Sequence, residues 1–162
     1  MTSVKRLNHA VLYVSDAGRS ATFYGEVLGL HPAATMGDGA AMFLRAEDSP
    51  NDHDLGLFTI GDGAPASGRG IGLYHLAWEV ETLDDLMTVR ERLLERGALV
   101  GASDHGATKS LYGHDPDGIE FEVMWQVPLD QWEASGGTIG TEPLDIDAEL
   151  ARYGASTPSR TV

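Results

Sequence analysis

Two histidines occupy equivalent places in a repeated stretch of sequence. Leu7-Asn8-His9-Ala10-Val11-Leu12-Tyr13-Val14 recurs 66 residues later as Leu73-Tyr74-His75-Leu76-Ala77-Trp78-Glu79-Val80, sharing Leu-x-His and a closing valine. In an extended strand successive side chains point to opposite faces. Leu7, His9, Val11 and Tyr13 therefore share one face, and Leu73, His75, Ala77 and Glu79 share the corresponding face of the second copy, with Tyr74, Leu76, Trp78 and Val80 packed under a helix. Farther on, Ile119, Phe121, Val123 and Trp125 read as the helix-covered side of a strand, which turns Glu120, Glu122 and Met124 toward the same interior as both histidines. Two neutral imidazoles and one carboxylate on rigid strands form the donor set of a facial triad. Such a set leaves coordination positions open and suits Fe(II), with Mn(II), Co(II), Ni(II) or Zn(II) as competitors. A lone strand histidine is ordinarily structural, but duplication at one position opposite an inward glutamate points to ligation. The same offset carries Glu122 onto Gly56, so the first half offers no fourth ligand there; Asp54, equivalent to Glu120, would serve only with a two-residue slip. His31 and His114 read as surface residues, and His53, between Asp52 and Asp54, as a loop-surface residue or a substrate contact.

The elements that must hold these side chains repeat as well. Asp16 and Thr82 are placed to start helices, the second with a Thr82-x-x-Asp85 capping box. Ala21, Tyr24, Val27 and Leu28 give the first helix an apolar stripe, and Leu86, Val89, Leu93 and Leu94 give one to the second. Gly29 and Gly97 stand where left-handed C-terminal caps belong. Strand-like pieces follow at 41–44 and 55–60 in the first half, and at 99–100, 110–112 and 119–125 in the second. Asp115-Pro116-Asp117-Gly118 is a tight-turn signal that joins the last two into a hairpin. The expected fold is α+β, two βαβββ modules related by a pseudo-two-fold axis that form a cup-shaped mixed sheet with helices outside. The modules span 7–60 and 73–125 within one domain at 1–126, joined by a glycine-rich linker at 61–72, with flexible loops at 35–40 and 48–52. Residues 127–162 form a C-terminal extension, partly helical around 145–153 and then flexible.

Composition narrows the chemistry. The 162 residues suit one ordinary domain with a real core. No apolar run approaches the roughly 18–20 residues of a membrane span, and no apolar segment follows the basic start, so a soluble, cytoplasmic chain is expected. The sequence has no cysteine, which excludes disulfides, thiolate zinc sites, iron–sulfur clusters and cysteine nucleophiles. A formal charge of −14 repels phosphate backbones and anionic headgroups. No nucleic acid and no membrane is expected as partner; an uncharged small molecule is.

Together, Leu7-Asn8-His9, Phe23-Tyr24 with Leu28-Gly29-Leu30, Tyr74-His75-Leu76-Ala77-Trp78, and Tyr112-x-x-Asp115-Pro116-Asp117-Gly118 ahead of Glu122 resemble the vicinal oxygen chelate superfamily over roughly residues 7–125. Its members include glyoxalase I, thiol transferases, metal-free bleomycin-binding proteins and extradiol dioxygenases. The stretch from Ala102 to Glu122, with His105 shortly before Tyr112 and Tyr112 ten positions before Glu122, is most similar to catechol 2,3-dioxygenases, as is Gly140-Thr141-Glu142-Pro143-Leu144-Asp145. The resemblance implies His9, His75 and Glu122 as metal ligands, with His105 and Tyr112 as catalytic groups near the substrate. It further implies a divalent cofactor, Fe(II) first, and ring cleavage of a catechol-like molecule with O₂, in a homodimer. The glyoxalase-like, thiol-transferase and non-catalytic small-molecule-binding branches are the alternatives. Ile119 stands where that family usually carries asparagine after the turn glycine.

Overall fold

The structure, a computed structural model, describes residues 3–62 and 71–160. Most of the expected linker at 61–72 lies outside them. The described chain divides into two compact units, one of residues 3–62 with 115–118, the other of 71–114 with 119–160.

The first unit runs β1 (Ala10–Val14), α1 (Ala17–Leu28), β2 (His31–Met36), β3 (Ala41–Arg45) and β4 (Leu55–Thr59). Its sheet has the order β1-β4-β3-β2, with β1 parallel to β4 and the other pairs antiparallel. Asp16 caps α1 by accepting the Arg19 N–H at 2.8 Å, and Gly29 ends it at φ 73°, the left-handed conformation that a Cβ would disfavour. Ala17, Ala21, Phe23, Tyr24 and Val27 of α1 are buried, as are Leu12, Val14, Leu44, Leu55 and Leu57 of the sheet. Each fully buried leucine contributes roughly 2–3 kcal/mol through removal of apolar area from water. The turn residues extend this core. Asp117 accepts from the Ser15 N–H, the Ser15 hydroxyl and Arg19 at 2.9, 2.6 and 2.6 Å, while the Tyr24 hydroxyl donates to buried Asp115 at 3.2 Å. Burial and the Asp115 charge push the Tyr24 phenol far up, so it stays protonated.

The second unit repeats the order: β5 (Leu76–Glu79), α2 (Leu83–Glu95), β6 (Leu99–Asp104), β7 (Thr108–His114) and β8 (Glu120–Gln126). Its sheet runs β5-β8-β7-β6, extended by the two-residue β9 (Glu142–Pro143) on the outer edge of β6. The capping box forms with both reciprocal bonds. Leu83, Leu86, Val89 and Leu93 of α2 are buried, as are Leu111, Phe121, Val123 and Trp125 of the sheet.

The α+β class and the βαβββ order of both modules are as expected, but strand limits differ. β2 extends through Thr35 and Met36, where a loop was expected, because β3 offers it a backbone partner although all six of its side chains are exposed. β1 and β5 begin only at Ala10 and Leu76, leaving both histidines just ahead of their strands. For the same reason Tyr74, expected under a helix, is 74 % exposed.

The C-terminal segment adds α3 (Leu129–Ala134) and α4 (Ile146–Tyr153). Lys109, 1 % exposed, sits between Asp104 Oδ1 at 2.5 Å and Glu149 Oε2 of α4 at 3.1 Å. Beyond α4, Trp125 Nε1 donates to the Thr157 carbonyl at 3.0 Å and Arg160 Nη2 to Gln126 Oε1 at 3.0 Å.

Candidate metal and substrate site

The hairpin β7–β8 determines what the second unit brings together. Its register sets Tyr112 directly opposite Glu122, and the parallel β5–β8 ladder sets Ala77 beside Glu122, two residues after His75. The result is a run of contacts along one face. His75 Nε2 lies 3.0 Å from Glu122 Oε2; Glu122 Oε1 lies 3.4 Å from the Tyr112 hydroxyl; and that hydroxyl lies 2.8 Å from His105 Nε2. Glu122 and His75 are only 12 % and 22 % exposed. All four residues expected in this half thus meet along one face.

The far end of the run fixes its proton positions. His105 Nδ1 lies 2.9 Å from the Gly140 carbonyl oxygen, which can only accept, so neutral His105 carries its proton on Nδ1 and presents Nε2 as an acceptor. The one proton of the Tyr112 hydroxyl thus has two acceptors within reach, His105 Nε2 at 2.8 Å and Glu122 Oε1 at 3.4 Å. Burial first, then the neighbouring Glu122 charge and hydrogen bond, push the Tyr112 phenol up to about 12, so it remains a donor at neutral pH.

Gly106 makes the His105 contact possible. Its φ is +79°, and a Cβ there would stand 2.2 Å from the Thr138 carbonyl oxygen. The chain at 138–140 can approach only a glycine, and Gly140 N–H closes the contact on the His105 carbonyl at 3.3 Å. Gly106→Ala is expected to push 138–140 away and release the His105 ring. Nitrogen-15 spectra would show His105 losing its fixed Nδ1–H form, while the melting temperature falls by a few degrees; an unchanged His105 signal would contradict this.

His9 stands in the first unit, with its Nδ1 2.8 Å from Asn8 Oδ1 and its ring 4.5 Å from that of His53. From sequence His53 reads as a loop-surface residue or a substrate contact. Its side chain is 16 % exposed, its Nδ1 lies 2.8 Å from Asp52 Oδ2, and its ring meets Phe43 edge to face at 5.0 Å. No spacing in the sequence ties His53 to His9; only the adjoining Asp52 signals an oriented imidazole. Asp54 is not available as a fourth ligand, because it accepts from the Ala46 N–H, Ser49 and Asn51 at 2.9, 2.7 and 2.6 Å. Of the two histidines read as surface residues, His31 pairs with Glu47 at 2.6 Å and His114 lies 3.6 Å from Glu120, both largely exposed.

Within the described residues of each unit, no three His, Asp or Glu side chains are gathered into a metal cage. The second unit supplies a pair of donors whose chemistry fits a divalent ion. Two donors each about 2.1 Å from a cation and at right angles to one another stand about 3.0 Å apart, the separation of His75 Nε2 from Glu122 Oε2. His75 Nδ1 is buried, without a hydrogen-bond partner among the described residues, and faces Glu120 Oε1 at 3.8 Å. A carboxylate near the remote ring nitrogen is the usual support of a ligating imidazole.

Paired βαβββ units with this strand order are the vicinal oxygen chelate fold. The chain belongs to the Glyoxalase/Bleomycin resistance protein/Dioxygenase superfamily, whose model matches residues 6–123. It is 27 % identical to a catechol-2,3-dioxygenase of Bacillus subtilis, an alignment that covers all of this chain and 59 % of that protein. It is 34 % identical to biphenyl-2,3-diol 1,2-dioxygenase 3 of Rhodococcus globerulus, covering 76 % of this chain and 65 % of that protein. A manganese-dependent 2,3-dihydroxybiphenyl 1,2-dioxygenase of Geobacillus genomosp. 3 is 27 % identical over 76 % of this chain and 38 % of its own length. The chain thus spans less than two thirds of the length of these relatives. Among solved structures, a glyoxalase/dioxygenase from Nostoc punctiforme superposes with a TM-score of 0.65 at 21 % identity, over 78 % of this chain and 99 % of that one, a likeness of fold. Among the described residues no helix is long and apolar enough to cross a membrane.

Proposed function

We propose that this protein is an extradiol-type ring-cleaving dioxygenase for a catechol-like molecule, with a divalent cation held by His9, His75 and Glu122. Fe(II) is the first candidate; Mn(II) is supported by the manganese-dependent relative, and Co(II), Ni(II) and Zn(II) fit the same donors. The observation that carries the reading is the run His75–Glu122–Tyr112–His105, in which a phenol and a third ring nitrogen adjoin an imidazole and a carboxylate able to ligate a cation. When bound, the cation would supply Lewis acidity toward the two oxygens of a vicinal diol and, as Fe(II) or Mn(II), redox chemistry with O₂.

The chain's own residues then have separable tasks. Tyr112 keeps its proton at neutral pH and donates it to a substrate oxygen within hydrogen-bond reach. His105, unprotonated at Nε2, can take a proton from the phenol and, once protonated there, hand the same proton back. His53, with Nδ1 turned to Asp52, offers Nε2 as a further acceptor beside His9. Phe43, whose ring meets that of His53 at 5.0 Å, favours a flat apolar substrate body over an anionic one beside that residue.

The test is oxygen consumption by Fe(II)- or Mn(II)-reconstituted protein with a panel of substituted catechols and 2,3-dihydroxybiphenyl. Stoichiometric uptake with yellow ring-opened product is expected for at least one diol. No uptake and no product across the panel, from protein that holds one equivalent of metal, would overturn the reading.

A further inference from the structure

His9 ends a series of polar side chains whose orientations are dictated from the opposite end by a carboxylate. Asp54 accepts three hydrogen bonds, one of them from Asn51 Nδ2 at 2.6 Å. Burial pushes the Asp54 carboxyl up, but the bonds from Ser49, Ala46 and Asn51 and the Arg6 charge outweigh it and hold it below the usual carboxylate value. An ionised carboxylate has no proton to give, so Asn51 must turn its NH₂ toward Asp54. The same NH₂ donates to the Asn8 carbonyl at 2.8 Å. On its other side, Asn51 Oδ1 accepts from Asn8 Nδ2 at 2.9 Å and from the Arg6 guanidinium, which can only donate. Asn51 is 7 % exposed, so every polar atom of its amide is both buried and matched.

The consequence passes to Asn8. With its NH₂ committed to Asn51, the Asn8 amide presents Oδ1 to His9 Nδ1 at 2.8 Å. A carbonyl oxygen only accepts, so neutral His9 carries its proton on Nδ1 and its lone pair on Nε2. Turning the Asn51 amide over would set oxygen against oxygen at Asp54 and at the Asn8 carbonyl and donor against donor at Arg6 and the Asn8 amide, while turning Asn8 alone would set its oxygen against Asn51 Oδ1.

We propose that Asp54, Asn51 and Asn8 are positioning residues that hold His9 in its Nδ1–H tautomer, presenting Nε2 as a donor to a divalent cation. The proposal rests on the reading of His9 as a metal ligand and deepens it, because a ligating imidazole must have an unprotonated nitrogen facing the ion. The repeat does not supply this device in the second unit: Tyr74 stands where Asn8 would, and His75 Nδ1 has Glu120 as its nearest acidic neighbour instead.

Two readouts test the proposal. In metal-free protein above the histidine titration range, long-range nitrogen-15 correlations should place the His9 proton on Nδ1. Asn8→Ala, at an exposed position, should shift His9 toward the Nε2–H form and raise the Mn(II) and Zn(II) dissociation constants about 10- to 100-fold, the usual effect of losing an outer partner of a ligand. Asn8→Asp, which keeps an oxygen beside Nδ1, should restore the tautomer. Asn51→Leu should reproduce the Asn8→Ala shift by freeing the amide to turn. A native His9 protonated on Nε2, or an Asn8→Ala protein with unchanged tautomer and metal affinity, would overturn the proposal. If His9→Ala binds metal as tightly as the native chain, the ligand assignment fails and the proposal falls with it, whatever the tautomer.

Discussion

Glu122→Ala will lose its cation on dialysis, with affinity reduced by more than about 100-fold, since loss of an outer partner alone is worth about 10–100-fold. Glu122 is the one anionic donor in the proposed set, and its removal leaves two neutral imidazoles to hold a dipositive ion. Glu122→Gln keeps the length and one oxygen but not the charge, so its affinity should fall between the two. Neither change should unfold the protein, because Glu122 lies on the face of β8 opposite the buried Phe121, Val123 and Trp125. Metal content after dialysis and oxygen uptake with the best diol should fall together. A Glu122→Ala protein that keeps one full equivalent of metal would remove this carboxylate from the site.

Lys109→Met is the change expected to damage stability most. The lysine is 1 % exposed and its ammonium lies within 3.1 Å of both Asp104 and Glu149, so the uncharged replacement leaves two part-buried carboxylates without their cation. Breaking a buried ion pair by removing one partner costs about 3–5 kcal/mol. The effect should be largest at α4, whose Glu149 is one end of this network, and amide exchange of 146–153 should accelerate before that of β7 and β8. Adding Glu149→Gln removes one of the stranded charges and should recover part of the loss. Urea unfolding decides the matter: a loss below about 1 kcal/mol would mean that the carboxylates find other partners.

Much of this architecture is legible in the sequence because local signals and tertiary packing agree. Asp16, Gly29 and the Thr82–Asp85 box mark helix ends that the structure keeps, and the alternation in 119–125 identifies which side of β8 is buried. β2 escapes notice because none of its residues is buried and Pro32 interrupts its ladder beside a bulge, so it has no apolar alternation to read. The polar, glycine-containing stretch through Gly101 and Ser103 likewise hides the length of β6, which β7 and β9 complete by backbone pairing.

The candidate site divides in the same way. Tyr112 and Glu122 are readable as partners because a hairpin with a defined turn fixes which residues face each other. Sequence could name His105 through resemblance, but not the Gly140 carbonyl that sets its tautomer, since that contact spans 35 positions without periodicity. His53 beside His9, and Asn51 behind Asn8, are equally silent in sequence: they depend on how the 46–54 loop folds back through Asp54.

The most direct measurement is anomalous diffraction from crystals of the native protein soaked with Mn(II). One strong peak is expected within bonding distance, about 2.0–2.3 Å, of His9 Nε2, His75 Nε2 and a Glu122 oxygen. A peak bound by other side chains, or well-diffracting crystals with no peak at saturating Mn(II), would contradict this ligand assignment.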